Sequence, residues 1–425
     1  MKILHALAQL PTRTGSGVYF RNLLREFSKQ AGSRQIALFA EPLAQPVDFL
    51  DTKDLYPIVF ETEELPFPMP GMSDEMPYKS SVYGELSKAE WTKLKNAYRE
   101  QLLLIKKEHD PDIIICHHLW LLARTCLEVF PDRPVYGICH GTDIRQARQH
   151  PDLAREWVGE LSNLRLVFAL SEEQIAAIEE LYKLDSQQII VTGGAYDQEV
   201  FYPLPEAQLR ALKRDNLTIS DDFSKEAEIS PFSFCYAGKL VRSKGVFELL
   251  AATKKLRAEG YNIELKLIGQ SNPELTEYIE VLGLDNSVVK VYDVKSQSDL
   301  AAELRVTDCF VFASYYEGLG LIALEALASG MRLVVNQLPA LCEQLNVELK
   351  EQDFISWVKL PRIVNVDEAV DEDIPAYVER LAAAMIEQYK RSVGEDLATR
   401  VALLDKLLST YRWSSLSARI FNLLD

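Results

Sequence analysis

At 425 residues and 48% hydrophobic content, the chain is too long for one ordinary core and has ample apolar side chains for two. Its formal net charge of -17 argues against a nucleic-acid binder, whose affinity comes from neutralising phosphates, and disfavours broad attraction to an anionic membrane. The six cysteines lack paired or metal-like spacing, and Cys116, Cys139, Cys235 and Cys309 sit in apolar runs, as small buried hydrophobes in a reducing compartment do. No stretch approaches a membrane span, and the opening apolar run is too short for a signal peptide, so a cytoplasmic location is expected.

Ile3 to Ala8 reads as a first buried parallel strand. Pro11-Thr-Arg-Thr-Gly-Ser-Gly17 and a helical run from Val18 to about Gln30 follow it. This is strand, glycine loop, helix, without the third glycine of the dinucleotide fingerprint. After a strand over Gln35–Ala40, Pro66, Pro68, Pro70, Gly71 and Pro77 forbid regular structure, while Phe67, Tyr78 and Tyr83 favour an ordered loop. The 41–86 stretch is expected to lie over a cleft of the first domain. Ser87-Lys-Ala-Glu90 is a capping-box sequence. The helix after it puts Trp91, Leu94, Tyr98, Leu102 and Ile105 on one face and Lys93, Lys95, Arg99, Lys106 and Lys107 on the others. A solvated face is the favoured reading of that basic surface, and peripheral membrane contact the less favoured one.

Asp112–His118 and Pro134–Asp143 are further buried strands that end in histidine, at the edge where doubly wound sheets bind ligands. All six histidines lie at or before residue 150, so a catalytic histidine can come only from this half. Strands near Leu166–Leu170 and Gln188–Val191 flank a helix from Ser171 to Tyr182. Residues 204–231 are polar and charge-rich and read as an interdomain linker. The second domain opens with a strand, Phe232–Ala237, then Gly238-Lys-Leu-Val-Arg-Ser-Lys-Gly245 and a helix to Glu259. Cations in that loop, Lys239, Arg242 and Lys244, suit a diphosphate leaving group. Strands over Ile263–Gly269 and Val288–Val294 lead to the most informative stretch. Cys309–Ala313 is a buried strand, Gly318 and Gly320 break the regularity, and Leu321–Ser329 are strong helix formers stopped by Gly330. The turn aims free N–H groups and a positive helix end at one spot, where a phosphate is the expected guest. Glu317 and Glu325 bracket that spot and suit sugar or ribose hydroxyls rather than the phosphate itself. Glu348–Glu372 is long and acidic, without a functional account. Helices near Pro375–Ser392 and Gly394–Leu408 close the domain, and Trp413 opens a last helix from Ser414 to Leu424.

Glu317-Gly-Leu-Gly-Leu-Ile-Ala-Leu-Glu325, with Ser314 before it and Glu325-Ala-Leu-Ala-Ser-Gly330 after it, resembles the Glu-x7-Glu signature of glycosyltransferase family 4, the retaining, nucleotide-sugar-dependent enzymes also grouped as glycosyl transferases group 1. The resemblance is strong over residues 233–330 and extends in layout over nearly the whole chain. It implies the GT-B fold: α/β, two Rossmann-like domains facing a cleft, and a C-terminal helix packing back on the first. The implied division is an acceptor domain at 1–203, a linker at 204–231, a donor domain at 232–410 and a crossing helix at 411–425.

The resemblance implies transfer of a hexosyl group from a nucleoside diphosphate sugar to an acceptor hydroxyl, with retention and without a metal or cofactor. A UDP-sugar is the first expectation, with GDP- or ADP-sugars possible, and the acceptor is a small molecule, a glycan or a lipid-linked sugar. Glu317, His140 and Lys244 take the catalytic places. Gly17, Lys239, Lys244, Gly318, Leu319, Gly320, Leu321, Glu325 and Val294 take the donor-binding places. Gly15, Ser16, His118 and Asp143 lie on the acceptor side. Two departures stand out: Gly193 replaces the usual Asn of the hinge pattern, and Asn336-Gln-Leu-Pro-Ala-Leu341 lacks the usual Gly-Gly turn. The rival readings are another GT-B enzyme, a sugar phosphorylase or sugar-nucleotide epimerase, and a non-catalytic sugar-nucleotide-binding subunit.

Overall fold

Two runs of buried β-branched and aromatic strands, most of them followed by a helix, fold into two parallel sheets. The structure is a computed structural model that describes the chain except Arg13, residues 45–53, Glu75, residues 216–229, Gly318, Val366 and Asp425; of residues 210 and 213–215 only the backbone is described.

One unit comprises Met1–Gly193 together with the chain from Trp413 onward. Its strands are β1 (Lys2–Leu7), β2 (Arg34–Pro42), β3 (Leu55–Phe60), β4 (Ile113–His117), β5 (Val135–Cys139), β6 (Val167–Ala169) and β7 (Ile189–Val191), in the order β3-β2-β1-β4-β5-β6-β7. All pairings in this sheet are parallel. Its helices include α1 (Gly15–Ser28), α2 (Lys88–His109), α3 (Leu121–Val129), α4 (Thr142–Gln149) and α5 (Glu173–Tyr182). The Ser87 capping box forms on α2, with Ser87 N–H donating to Glu90 Oε2 at 2.8 Å and Glu90 N–H to Ser87 Oγ at 3.3 Å. Trp91, Leu94, Tyr98, Leu102 and Ile105 are all fully buried. At about 2 kcal/mol each, this face rather than helix propensity fixes α2 in place.

The other unit runs from Gly194 to Arg412. Its strands are β8 (Phe232–Ala237), β9 (Ile263–Ile268), β10 (Val289–Tyr292), β11 (Cys309–Phe312), β12 (Arg332–Asn336) and β13 (Ile355–Val358), in the order β10-β9-β8-β11-β12-β13. Its helices include α6 (Val246–Ala258), α7 (Pro273–Leu282), α8 (Gln297–Arg305), α9 (Leu321–Ala328), α10 (Ile374–Ser392) and α11 (Leu397–Leu408). Both sheets thus have the doubly wound order in which the chain starts in the middle and reverses direction, between β1 and β4 and between β8 and β11.

Helix α12 (Trp413–Phe421) packs on α1 of the first unit, as the resemblance implies. Tyr19 meets Trp413 edge-on at 4.7 Å, and Phe27 meets Phe421 at 5.1 Å.

Several details differ from the sequence expectation. Residues 194–203 belong with the second unit: Tyr196 and Phe201 are buried in one cluster with Phe310, Leu324 and Leu327. The boundary therefore falls at Gly193 and not at Pro203. Part of the expected linker is a helix, Glu206–Asp215, while its 216–229 portion lies outside the described residues. The 41–86 stretch, parts of which also lie outside them, contains β3 and buries Phe67, Met69, Met72 and Tyr83 in the first unit's core. The acidic 348–372 segment contributes β13 and a small antiparallel pair, Ile363–Val364 with Glu368–Ala369, held by the Arg362–Asp373 ion pair at 2.9 Å.

Candidate functional site

In the second unit, the loops leaving β8 and β11 meet at the point where the strand order reverses. Tyr315 N–H donates to Ser243 O at 3.1 Å. Gly245, at φ +66°, passes so close to β11 that a Cβ there would lie 2.2 Å from Ala313 O. This contact brings Lys244 to Glu317: its Nζ lies 2.8 Å from Glu317 Oε1 and also donates to Tyr316 O at 3.2 Å. Both side chains are about a quarter exposed, at 23% and 25%, so the pair can exchange partners with a ligand. Lys239 is exposed on the same loop. Gly318 lies outside the described residues.

Gly320 begins α9 at φ +62° with no side-chain cap, and no acidic residue occupies the first turn. Nothing from the helix itself competes for the positive end of its dipole. Leu319 and Leu321 flank it, half-buried. Glu325 lies one turn along α9. Desolvation pushes its pKa up to about 7, and the carboxylate of Asp197 adds to the rise. Val294 follows β10, at the sheet edge, with β9 between that strand and β8. Its N–H donates to Asp293 Oδ1 at 2.9 Å.

Two supporting residues escaped the sequence reading. Asn336, fully buried at the end of β12, donates from Nδ2 to Ala313 O at 2.8 Å and Ser314 O at 3.0 Å. Tyr377 of α10 donates its hydroxyl to Asn336 Oδ1 at 3.0 Å. Together they pin the carbonyls at the end of β11, just before Glu317. An Asn closing an otherwise apolar strand was the available signal for the first; nothing local marks the second.

In the first unit, His117 ends β4, His118 follows it and His140 follows β5. The rings of His118 and His140 are 4.8 Å apart, those of His117 and His140 stack at 5.8 Å, and Tyr19 from α1 meets His140 edge-on at 5.2 Å. Both ring nitrogens of His117 and His118, and Nε2 of His140, are buried without a hydrogen-bond partner among the described residues. Burial holds all three well toward the neutral form; neighbouring histidines add to this for His117 and His140, while Asp143 partly offsets it for His118. His118 also has φ +83°, a left-handed conformation that costs a non-glycine residue energy and clusters at functional sites.

Asp143 is not placed to touch an acceptor. It is fully buried, and its Oδ2 accepts from Leu119 N–H at 3.0 Å and His140 N–H at 3.3 Å. Its role is to pin the two loops that carry His118 and His140. The Ser16 hydroxyl is likewise engaged, donating to Gln9 Oε1 at 2.9 Å. Gly17 donates its N–H to Thr14 Oγ1 at 3.0 Å, and a Cβ there would lie 2.8 Å from Leu10 O. Gly17 therefore supplies space rather than a free donor. Gly15 is exposed with open space around it.

Two doubly wound parallel sheets in one chain, with a lysine-bearing loop and an uncapped helix start at the reversal point of the second, define the GT-B class of fold. Residues 220–349 match the family model described as glycosyl transferases group 1. The chain is 25% identical over 242 residues to a glycogen synthase of Mycobacterium tuberculosis, covering 55% of this chain and 54% of that one. It is 26% identical over 346 residues to an MMP alpha-(1->4)-mannosyltransferase of Mycolicibacterium hassiacum, covering 77% and 79%. The chain spans about half the length of the first curated relatives it matches. Among solved structures, HepE of Anabaena, in complex with UDP and glucose, superposes with a TM-score of 0.61 at 15% identity over 100% of this chain and 99% of that one. Among the described residues, no helix is long and apolar enough to cross a membrane.

Proposed function

We propose that the protein is a glycosyltransferase that moves a hexosyl group from a nucleoside diphosphate sugar to an acceptor hydroxyl, with retention of anomeric configuration. The observation that carries this reading is the Lys244–Glu317 pair beside the uncapped start of α9, inside the segment that matches the glycosyl transferases group 1 model. Lys239, Lys244 and the N–H groups of Leu319, Gly320 and Leu321 stabilise the departing diphosphate, where negative charge develops. As Lys244 transfers from Glu317 to phosphate oxygens, the Glu317 carboxylate is released to accept sugar hydroxyls. Glu325 accepts the ribose hydroxyls. His140 contacts the donor sugar as a neutral imidazole, in keeping with its burial. No metal takes part, and the leaving phosphate helps to deprotonate the acceptor. A UDP-sugar is the favoured donor, supported by the fold's likeness to a structure that holds UDP and glucose. The proposed location is the cytoplasm.

Thermal unfolding against a panel of UDP-, GDP- and ADP-sugars tests this. A donor at about 100 times its Kd should add roughly 2.7 kcal/mol to stability. The shift should vanish in Lys244→Ala and Glu325→Ala. No shift with any nucleotide or nucleotide sugar would sink the proposal.

A further inference from the structure

The start of α10 and the acidic segment before it both reach the turn that carries Lys244. The ladder between β11 and β12 ends at the pair Phe312 and Val335, so the carbonyls of Ala313 and Ser314 lie beyond its last pair. The Asn336 side chain supplies their donors, at 2.8 Å and 3.0 Å, and the Tyr377 hydroxyl lies 3.0 Å from Asn336 Oδ1 and 3.3 Å from Ala313 O. Asn336 and Tyr377 are fully buried, and the rings of Tyr377 and Tyr315 lie 5.8 Å apart. Gly245 crosses Ala313 O with no room for a side chain, and Ser243 O accepts from Tyr315 N–H. A chain of contacts thus runs from α10 through Asn336 and the end of β11 to the residues on either side of Lys244.

The small antiparallel pair of the acidic segment holds the same turn. Its strand Glu368–Ala369 packs against the turn Arg242–Lys244, while Ile363 and Ala369 pack against the core that contains Val246, Tyr315 and Tyr377. Arg362 ties this hairpin to the start of α10. Its N–H and Nε donate to Asp373 Oδ2 at 2.8 Å and 2.9 Å, and its Nη2 donates to Oδ1 at 3.0 Å. Within the turn, Gly245 N–H donates to Arg242 O at 2.8 Å. A lysine presents a compact charge on a flexible four-carbon stem, so fixing its backbone is what places the charge.

We infer that Tyr377 and Asn336, together with the hairpin closed by Arg362 and Asp373, are positioning elements for Lys244. Tyr377 and Asn336 are too buried to meet a ligand themselves. They act by setting where Lys244 Nζ stands toward the diphosphate of the donor. The inference rests on the nucleotide-sugar reading of the site, and it gives the acidic segment a function in that site. Its signature is selective: loosening these elements is felt by the diphosphate part of a ligand and not by the nucleoside part.

Two measurements on the full chain test it: saturation-transfer NMR with UDP, GDP and ADP beside uridine, guanosine and adenosine, and amide hydrogen exchange without ligand. For the base that binds, Tyr377→Phe and Asn336→Ala should each weaken the diphosphate about fivefold, the value of one hydrogen bond, and leave the nucleoside unchanged. Arg362→Gln should do the same by about two- to threefold, as suits an exposed ion pair. Lys255→Gln, which breaks the Lys255–Glu379 ion pair between α6 and α10, should change neither ligand. In the free protein, Tyr377→Phe should speed exchange of the Tyr315 and Gly245 amides about fivefold while the amides of β8 and β9 keep their protection. Equal weakening of diphosphate and nucleoside, no weakening of either, or unchanged exchange at Tyr315 and Gly245 would overturn the inference. A wild-type chain that bound none of these ligands would instead sink the nucleotide-sugar reading, and this inference with it.

Discussion

Glu325, proposed above to bind the donor, is held in the fold at a cost. Its pKa is raised from 4.5 to about 7, chiefly by desolvation. A carboxyl group with a raised folded pKa holds its proton better in the native state than in the unfolded chain. Its contribution is therefore fully present below the unfolded value and is lost as pH rises through about 7. Above that pH the native protein carries a poorly solvated charge beside Asp197. Glu325→Gln removes this cost, and we expect it to stabilise the protein by about 1–3 kcal/mol at pH 8 and by much less at pH 5. The same change should weaken nucleotide binding, because an amide offers one acceptor where the carboxylate offers two. Urea unfolding at the two pH values, paired with calorimetric titration of the nucleotide, checks both parts. A stability difference that does not grow with pH would mean that Glu325 is ordinarily solvated.

At the scale of elements, the β11–turn–α9 unit is set by residues adjacent in sequence, and so it is readable there. An apolar run makes the strand, a glycine makes the turn and a run of Ala and Leu makes the helix. Gly320 meets two demands at once: φ +62°, and a space in which a Cβ would lie 2.8 Å from the Phe312 ring and 3.1 Å from Leu341. Gly260, between α6 and β9, has φ +88°, but a Cβ there would have nothing within 4 Å. Comparing Gly320→Ala with Gly260→Ala separates the two demands. The second should cost about 1 kcal/mol for backbone strain alone, and the first about 2–4 kcal/mol with a loss of nucleotide affinity. Equal costs by chemical denaturation would show that crowding at Phe312 is relieved without penalty. Two strands were not legible for physical reasons. β3 contains Pro57, which reads as a break but is tolerated because β3 is an edge strand. β13 is an edge of the other sheet, short, with Glu351 and Asp353 just before it and Lys359 just after it. Edge strands have half the neighbours and so half the pattern. The Asn336–Tyr377 support was illegible because its partners lie 41 residues apart, and no local period records a contact at that separation.

For the whole molecule, the uneven placement of histidine gives the two units different responses to acid. All six histidines lie in the first unit, and five of them, His5, His109, His117, His118 and His140, are held toward the neutral form chiefly by burial, His5 at about 4. A histidine with a lowered folded pKa is protonated first in the unfolded chain. Unfolding then takes up protons as pH falls below about 6.5, and native stability drops with it. Each such histidine contributes a slope of up to about 1.4 kcal/mol per pH unit once the unfolded chain is protonated. The second unit has no histidine, and its most perturbed carboxyl, Glu325, favours the native state as pH falls. Between pH 7.5 and 5.5, hydrogen exchange corrected for its intrinsic rate should show the core amides of β1, β4 and β5 losing protection while those of β8, β11 and β12 keep theirs. His117→Phe, an apolar ring among aromatic neighbours, should flatten the first unit's response by about one proton. Both ring nitrogens of His117 and His118, and Nε2 of His140, have no partner among the described residues, so their neutrality is a cost the fold carries rather than a bond it gains. If the two sheets lost protection in parallel, the cluster would be solvated rather than held neutral by burial.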